Sequence, residues 1–260
     1  MKSEELKQIS ESLIDTTKIA GEKSVEIQKK GLKIIMKPDN TPVSNGDLEV
    51  NKILTDKIKE LTPNIPIVSE ETVDLKKKNI FSTYWLIDPI DGTKEYIAGK
   101  DDYTINAGLI INKLPGLGIV GVPKKNRLFY SYGKDNSYMI ENEKLIKLNC
   151  KNKKNLNKKL IGLTNDLNPP ADVLNKLREF GVTSFEKQSC SYKYCLIATG
   201  EFDIYVDKVR AREWDDAAGQ AIAEHAGAIV TTLNGDLFKY GKEDYRNPTI
   251  LIRRSENLNV

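Results

Sequence analysis

One histidine, three cysteines and no long apolar run: the scarce features of this 260-residue chain narrow its chemistry first. The longest apolar stretches, such as Ala107 to Ile111, are far too short to cross a bilayer. Cys150, Cys190 and Cys195 are odd in number and lack metal-ligand spacing, and no secretory signal is read in the opening MKSEE. Reduced thiols in a cytoplasmic protein are therefore expected. Cys190 and Cys195 have no evident base partner, which argues against a thiol nucleophile, and His225, in a run of small residues, reads as structural. Charge of one sign is also lacking: 40 basic residues face 37 acidic ones, so whole-chain charge does not point to nucleic acid. The basic runs Lys151 to Lys159 and Lys76 to Lys78 read as solvated loops, although a basic face would also allow weak peripheral contact with an anionic membrane. There is no solenoid repeat and no low-complexity tract.

What is present is an ordinary globular composition, 39% hydrophobic and 30% charged. Leu6, Ile9, Leu13 and Ala20 recur at near-helical intervals, so the first two dozen residues form an amphipathic helix. Gly31 to Lys37 reads as a short strand and Pro38 to Asn40 as a turn, and Pro42 is expected to end any regular run. Ser44 with Asp47 resembles a capping box, opening a helix with Val50, Leu54, Ile58 and Leu61 on its apolar side. Ile65 to Ser69 and Tyr84 to Ile87 read as strands, followed by strand-like runs from Tyr103 to Leu148 whose short connections imply antiparallel pairing. The basic, Asn-rich segment after Cys150 is the expected boundary between two lobes, 1–150 and 151–260. Beyond it KLIGLTN, DIYVDK, AIVTTLNG and TILIRR read as strands, and Pro170 to Phe180, Ser191 to Ala198 and Trp214 to His225 as helices. Mixed sheets packed against helices are the natural architecture, an α/β (α+β) fold.

The stretch YWLIDPIDGTKE carries the chemistry. An apolar run stops at Asp88, and Asp91 follows after Pro89 and Ile90. Turn formation alone explains a bare D-P-x-D. Two carboxylates about 4 Å apart, however, repel by roughly 4 kcal/mol at an effective dielectric of ~20, a cost that protons or cations must offset. Glu70 ends another short strand, in IVSEE; if the two strands lie side by side, Glu70, Asp88 and Asp91 meet at one edge. All-oxygen clusters of this kind suit Mg²⁺. Gly92 and Thr93 come next, where a glycine and the free amides of an opening helix would cradle a phosphate.

With SEE upstream and EWDDAAG downstream, WLIDPIDGTKEYI resembles the inositol monophosphatase superfamily of metal-dependent, lithium-sensitive phosphatases, and the similarity runs from the first helix to NPTILI. The resemblance implies a layered α-β-α-β-α sandwich with an N-terminal antiparallel-sheet lobe and a C-terminal mixed-sheet lobe. It implies that Glu70, Asp88 and the Ile90 carbonyl hold one Mg²⁺, and that Asp88, Asp91 and Asp215 hold a second. A third, weaker ion would touch Glu70, and Mn²⁺ would be a possible substitute. Asp47 and Thr93 would activate the attacking water, and Gly92, Thr93, Lys94, Lys193 and Asp215 would meet substrate. Glu71 is either a further ligand or a neighbour supporting the ligands.

DGTKEY and DNTPVSNGD resemble the 3′(2′),5′-bisphosphate nucleotidase branch, as does Lys193 within SCSYKYC, unless Lys193 is only an exposed helix lysine. That branch implies removal of the 3′-phosphate of 3′-phosphoadenosine 5′-phosphate, a by-product of sulfate assimilation, by a monomer or homodimer. Ser189 and Cys190 replace Gly-Ser of the pattern, and Asp207 falls where an arginine is usual. Asp207 facing a phosphate would repel it, so either a neighbouring cation compensates or the substrate is an inositol or sugar phosphate. A catalytically silent nucleotide-binding protein on this fold is the alternative of another class.

Overall fold

The computed structural model describes every residue except 38–39, 78–80, 153–158, 209–210 and 259–260. The expected turn at 38–39, Lys78, most of the expected inter-lobe segment and Arg210 therefore lie outside the described residues. The elements in chain order are α1 (Ser3–Lys30), β1 (Ile34–Met36), β2 (Pro42–Ser44), α2 (Asn45–Leu61), β3 (Ile67–Ser69), β4 (Thr83–Asp91), α3 (Thr93–Ile97), β5 (Thr104–Ile111), β6 (Leu114–Val122), β7 (Arg127–Ser131), β8 (Ser137–Glu141) and β9 (Lys144–Lys147). After them come β10 (Ile161–Thr164), α4 (Ala171–Glu179), β11 (Ser184–Lys187), α5 (Tyr192–Ala198), β12 (Ile204–Asp207), α6 (Glu213–His225), β13 (Ile229–Thr231) and β14 (Ile250–Arg253).

Strands β3 to β9 form one sheet in sequence order, antiparallel except for the parallel pair β3–β4. The second sheet runs β11-β10-β12-β14-β13 and mixes parallel with antiparallel pairs. Alternation along the strands builds the layers. On β4, Trp85 and Ile87 join Leu13, Val50, Leu54 and Ile58 of α1 and α2, while Tyr84 and Leu86 join Ala217, Ala218 and Ile222 of α6. On β12, Tyr205 faces that same inner cluster, whereas Ile204 and Val206 pack with Val173 and Leu177 of α4. The result is α1/α2, large sheet, α5/α6, small sheet, α4: the layered sandwich.

Two glycines let α6 lie close on the large sheet. A Cβ on Gly108 would stand 2.8 Å from the Ala218 nitrogen, and one on Gly118 would collide with the Ala218 carbonyl oxygen. The small residues of EWDDAAG meet their counterparts here.

Several local expectations need correction. Pro42 does not end the regular run; it begins β2, pairing with Met36 in a two-stranded ladder, a position that a residue without an N–H tolerates at a strand start. The strand expected to stop at Ile87 continues to Asp91. β11, a polar and largely exposed edge strand, has no alternating apolar signature and was not expected from the sequence.

Candidate active site

The continuation of β4 is what brings its two aspartates together. In an unbroken strand, residues three apart point to opposite faces. Across the ladder, however, Asp88 pairs with Asn106 and Asp91 with Thr104, so three steps on β4 match two on β5. This one-residue bulge returns Asp91 to the side of Asp88. Pro89 sits inside the bulge, where no ladder N–H is required. β3 supplies the next acid: Ser69 pairs with Ile87, and Glu70 follows with its N–H donating to the Ile87 carbonyl at 3.1 Å. Asp215 comes from the first turn of α6, its Oδ2 accepting the Arg212 N–H at 2.7 Å in a capping arrangement.

Carboxylate oxygens of Glu70, Asp88 and Asp215 all lie within 4.8 Å of one another. Burial, then repulsion from Glu70, Asp91 and Asp215, holds the Asp88 carboxyl well above the usual range. Burial, followed by Asp91 and Asp216, does the same to Asp215. Burial pushes Asp91 up to about 6 against the pull of Lys193 and of the Ser191 N–H. Asp88 gives Oδ1 to the Ile90 N–H at 3.1 Å, and Asp91 gives Oδ2 to the Ser191 N–H at 2.6 Å. Each aspartate of the cluster thus uses one oxygen on a backbone donor and keeps a second. Crowded, all-oxygen and short of positive charge, the cluster fits hard divalent cations such as Mg²⁺.

Asp47 and Thr93 adjoin it. The capping box that opens α2 uses Asp47 Oδ2, which accepts the Ser44 N–H at 2.8 Å and the Ser44 hydroxyl at 2.6 Å. Asp47 Oδ1 lies 3.1 Å from Thr93 Oγ1, which is also 3.0 Å from the Ile90 carbonyl; the single hydroxyl proton serves one of them at a time. Gly92 has φ +100°, and a Cβ there would come within 2.8 Å of the Asp102 carbonyl, so only glycine makes this turn into α3.

The four acids, Ile90, Gly92 and Thr93 line a cavity of about 500 Å³, with Asp47 behind Thr93; its walls also include Lys94, Ser189, Lys193, Tyr205, Asp207, Arg212 and Asp216. Lys193 is not an exposed helix lysine. It is 4% exposed, 3.6 Å from Asp216 Oδ1, and lies over the Tyr194 and Tyr205 rings. Asp207 accepts the Tyr205 hydroxyl at 3.0 Å and the Lys208 N–H at 2.7 Å. The Lys208 ammonium turns away to Asp172, and among the described residues Lys94, Lys193 and Arg212 are the cations that share the cavity wall with Asp207. Glu71, almost wholly buried, pairs with Lys37 rather than joining the three clustered acids.

Residues the sequence gave no reason to select also act here. Lys37 reaches Glu70 and Glu71 from the end of β1. Ser191 donates its N–H to Asp91 and its hydroxyl to the Asp215 carbonyl. The SCSYK segment carried that signal, but only as a phosphate-binding pattern. The cysteines and histidine take no part. Burial pushes Cys190 up to about 12 and Cys150 to about 11, while His225 is pushed down to about 4 and accepts the Gly133 N–H at Nδ1.

Compared with known proteins, the model of the inositol monophosphatase family matches residues 4–259. The chain belongs to the inositol monophosphatase family. Among curated relatives, a 3′(2′),5′-bisphosphate nucleotidase CysQ of Buchnera aphidicola is 34% identical over 215 residues, covering 82% of this chain and 79% of the relative. The Escherichia coli protein of that name is 31% identical, covering 84% and 88%. Among solved structures, CysQ from Bacteroides thetaiotaomicron, described as a bacterial member of the inositol monophosphatase family, superposes with a TM-score of 0.77. Its sequence is 26% identical, with 95% of this chain and 97% of that one covered. As in the sequence, no helix among the described residues is long and apolar enough to cross a membrane.

Proposed function

We propose that this chain is a Mg²⁺-dependent phosphomonoesterase that removes the 3′-phosphate of 3′-phosphoadenosine 5′-phosphate, giving AMP and phosphate. The observation that carries the reading is the acidic cluster of Glu70, Asp88 and Asp215 lining one cavity with Thr93, whose hydroxyl lies 3.1 Å from Oδ1 of the buried Asp47. The curated relatives named bisphosphate nucleotidases support the choice of substrate.

In this reading Glu70, Asp88 and the Ile90 carbonyl would hold one cation, and Asp88, Asp91 and Asp215 a second. Bound there, divalent cations would offset the charge that develops on the phosphoryl and leaving oxygens. The chain's own groups orient and move the proton. Thr93 takes a proton from the attacking water as it passes its own to Oδ1 of Asp47, the oxygen left free by the capping box. The new bond joins water oxygen to phosphorus, the bond from phosphorus to the ribose 3′-oxygen breaks, and that oxygen takes up a proton from solvent to leave as a hydroxyl. The amides of Gly92 and Thr93 hold the transferring phosphate, and Lys94 and Lys193 receive the one that stays.

One observation favours a second reading, hydrolysis of an inositol or sugar monophosphate: the Asp207 carboxylate in the cavity wall would repel a second phosphate but accept hydroxyl groups. A phosphate-release panel with Mg²⁺ decides between them. 3′-Phosphoadenosine 5′-phosphate is expected to have the highest kcat/KM; preference for inositol 1-phosphate or fructose 1,6-bisphosphate would replace the first reading by the second.

A further inference from the structure

Asn106 lies on β5 directly across from Asp88, where the extra residue of β4 enters the ladder. It is fully buried and sits behind the cavity wall rather than in it. Its Nδ2 donates to Oδ2 of Asp91 at 3.3 Å. The same oxygen takes the Ser191 N–H at 2.6 Å and, at 3.5 Å, the Thr104 hydroxyl. All three donors therefore converge on one oxygen of one carboxylate.

The other end of the amide is anomalous. Asn106 Oδ1 is buried and has no hydrogen-bond partner among the described residues. A buried acceptor left unmade costs stability, and such atoms are rare enough in native cores that each calls for a reason. Turning the amide over would bring two acceptors face to face, Oδ1 against the Asp91 carboxylate. A leucine of similar size would carry no orphan atom, and apart from Thr104 the rest of β5 is apolar. Folding stability does not account for an asparagine here.

We propose that Asn106 is a positioning residue for the metal centre: with the Ser191 N–H it pins Oδ2 of Asp91, so that this carboxylate can offer a cation only Oδ1. The inference rests on the metal reading given above. One-oxygen ligation suits Mg²⁺, which demands short, near-octahedral contacts, whereas Ca²⁺ accepts carboxylates through both oxygens. Asn106 thus favours the smaller ion without touching it.

The test is calorimetric titration of the metal-free protein with Mg²⁺ and with Ca²⁺, together with its melting temperature in EDTA. Asn106→Leu is expected to weaken Mg²⁺ binding about 10- to 100-fold, the usual cost of losing a group that orients a ligand. Ca²⁺ binding should change by less than about threefold, and the EDTA melting temperature should stay level or rise. Asn106→Ser, whose hydroxyl is too short to reach Asp91, is carried alongside and should lose Mg²⁺ affinity in the same way even if the leucine variant misfolds. Mg²⁺ affinity within about twofold of the parent overturns the proposal; so does equal loss of both ions together with a lower EDTA melting temperature, the mark of a merely structural residue. Failure of the parent chain itself to bind Mg²⁺ would instead remove the metal reading.

Discussion

The Lys37 ammonium stands 3.1 Å from Oε1 of Glu70 and 2.9 Å from the Glu71 carboxylate, so a cation of the chain itself already flanks the acidic cluster. Burial works to strip its proton, but the two glutamates outweigh burial and its pKa rises. The strand it follows, β1, is exposed along its whole length and, among the described residues, pairs only with β2. Lys37 therefore competes for Glu70 with any ion bound at the outer edge of the site.

Removing that competitor should tighten metal binding. A part-buried pair of this kind is worth on the order of 1 kcal/mol, so Lys37→Met is expected to improve Mg²⁺ affinity about three- to tenfold, while Lys37→Arg stays near the parent. Calorimetric titration of the metal-free protein measures this directly. Weaker binding in Lys37→Met would mean that Lys37 supports Glu70 instead of competing for it.

The crowded acids also set a pH dependence. A carboxyl whose folded pKa lies above its unfolded value binds more protons folded than unfolded, so its contribution to stability falls as pH rises between the two values. Asp88 and Asp215, held well above the usual range, share in this loss, and Glu71, pushed by burial up to about 7, and part-buried Glu224, also near 7, extend it to neutrality. His225, pushed down to about 4, works in the opposite sense but only below about pH 6.5. In EDTA the melting temperature should therefore fall between pH 6.5 and 8, by about 2–4 °C for each kcal/mol involved. Mg²⁺ should raise it more at pH 8 than at 6.5. An equal Mg²⁺ effect at both values would mean that the cluster is not what the ion neutralises.

Thr93 and Asp47 give a prediction on rate rather than affinity. Thr93→Val removes the hydroxyl that stands 3.1 Å from Asp47 Oδ1 and that we propose links Asp47 to the attacking water, so kcat should fall about 100-fold or more, with Mg²⁺ binding nearly unchanged. Thr93→Ser restores the hydroxyl and should recover most of the rate. Parallel loss in both variants would show that the methyl group, not the proton path, is what matters.

Much of this site was legible in the sequence, for physical reasons that differ by residue. Asp88 and Asp91 stood out because two acids at the end of an apolar run need neutralising, and Glu70 because it ended a similar run. The bulge that turns both aspartates to one side was not legible: it depends on how β4 pairs with β5, which no local pattern records. Lys37 was hidden for a related reason. A lysine beside a short exposed strand looks like any solvated lysine until the β1–β2 ladder folds it back onto Glu70. Lys193 was selected from its sequence pattern, but its burial was not legible, because it comes in part from Asp216 of α6 and the Tyr205 ring of β12. In the fold, alternating strands and periodic helices could be read directly, whereas β11, polar and at a sheet edge, had no pattern to read.

The packing of α6 yields the last prediction, because this helix both closes the core and carries Asp215. Gly108 on β5 leaves room for the Ala217–Ala218 backbone, and an added methyl would meet the Ala218 nitrogen at 2.8 Å and the Ala217 Cβ at 2.9 Å. Neither neighbour is the end of a flexible side chain, so the helix itself must shift. Overpacking of this sort costs about 1–3 kcal/mol, and a displacement of roughly 1 Å at a catalytic group costs about 100-fold in rate. Gly108→Ala is therefore expected to lower the melting temperature by several degrees and to weaken metal binding and turnover together. Gly116→Ala is the control: its methyl would meet first the Ile111 side chain, Cδ1 at 2.6 Å and Cγ1 at 3.0 Å, which can rotate away without moving α6, and activity should hold. Loss of stability in Gly108→Ala with metal affinity and kcat intact would show that α6 can move without taking Asp215 with it.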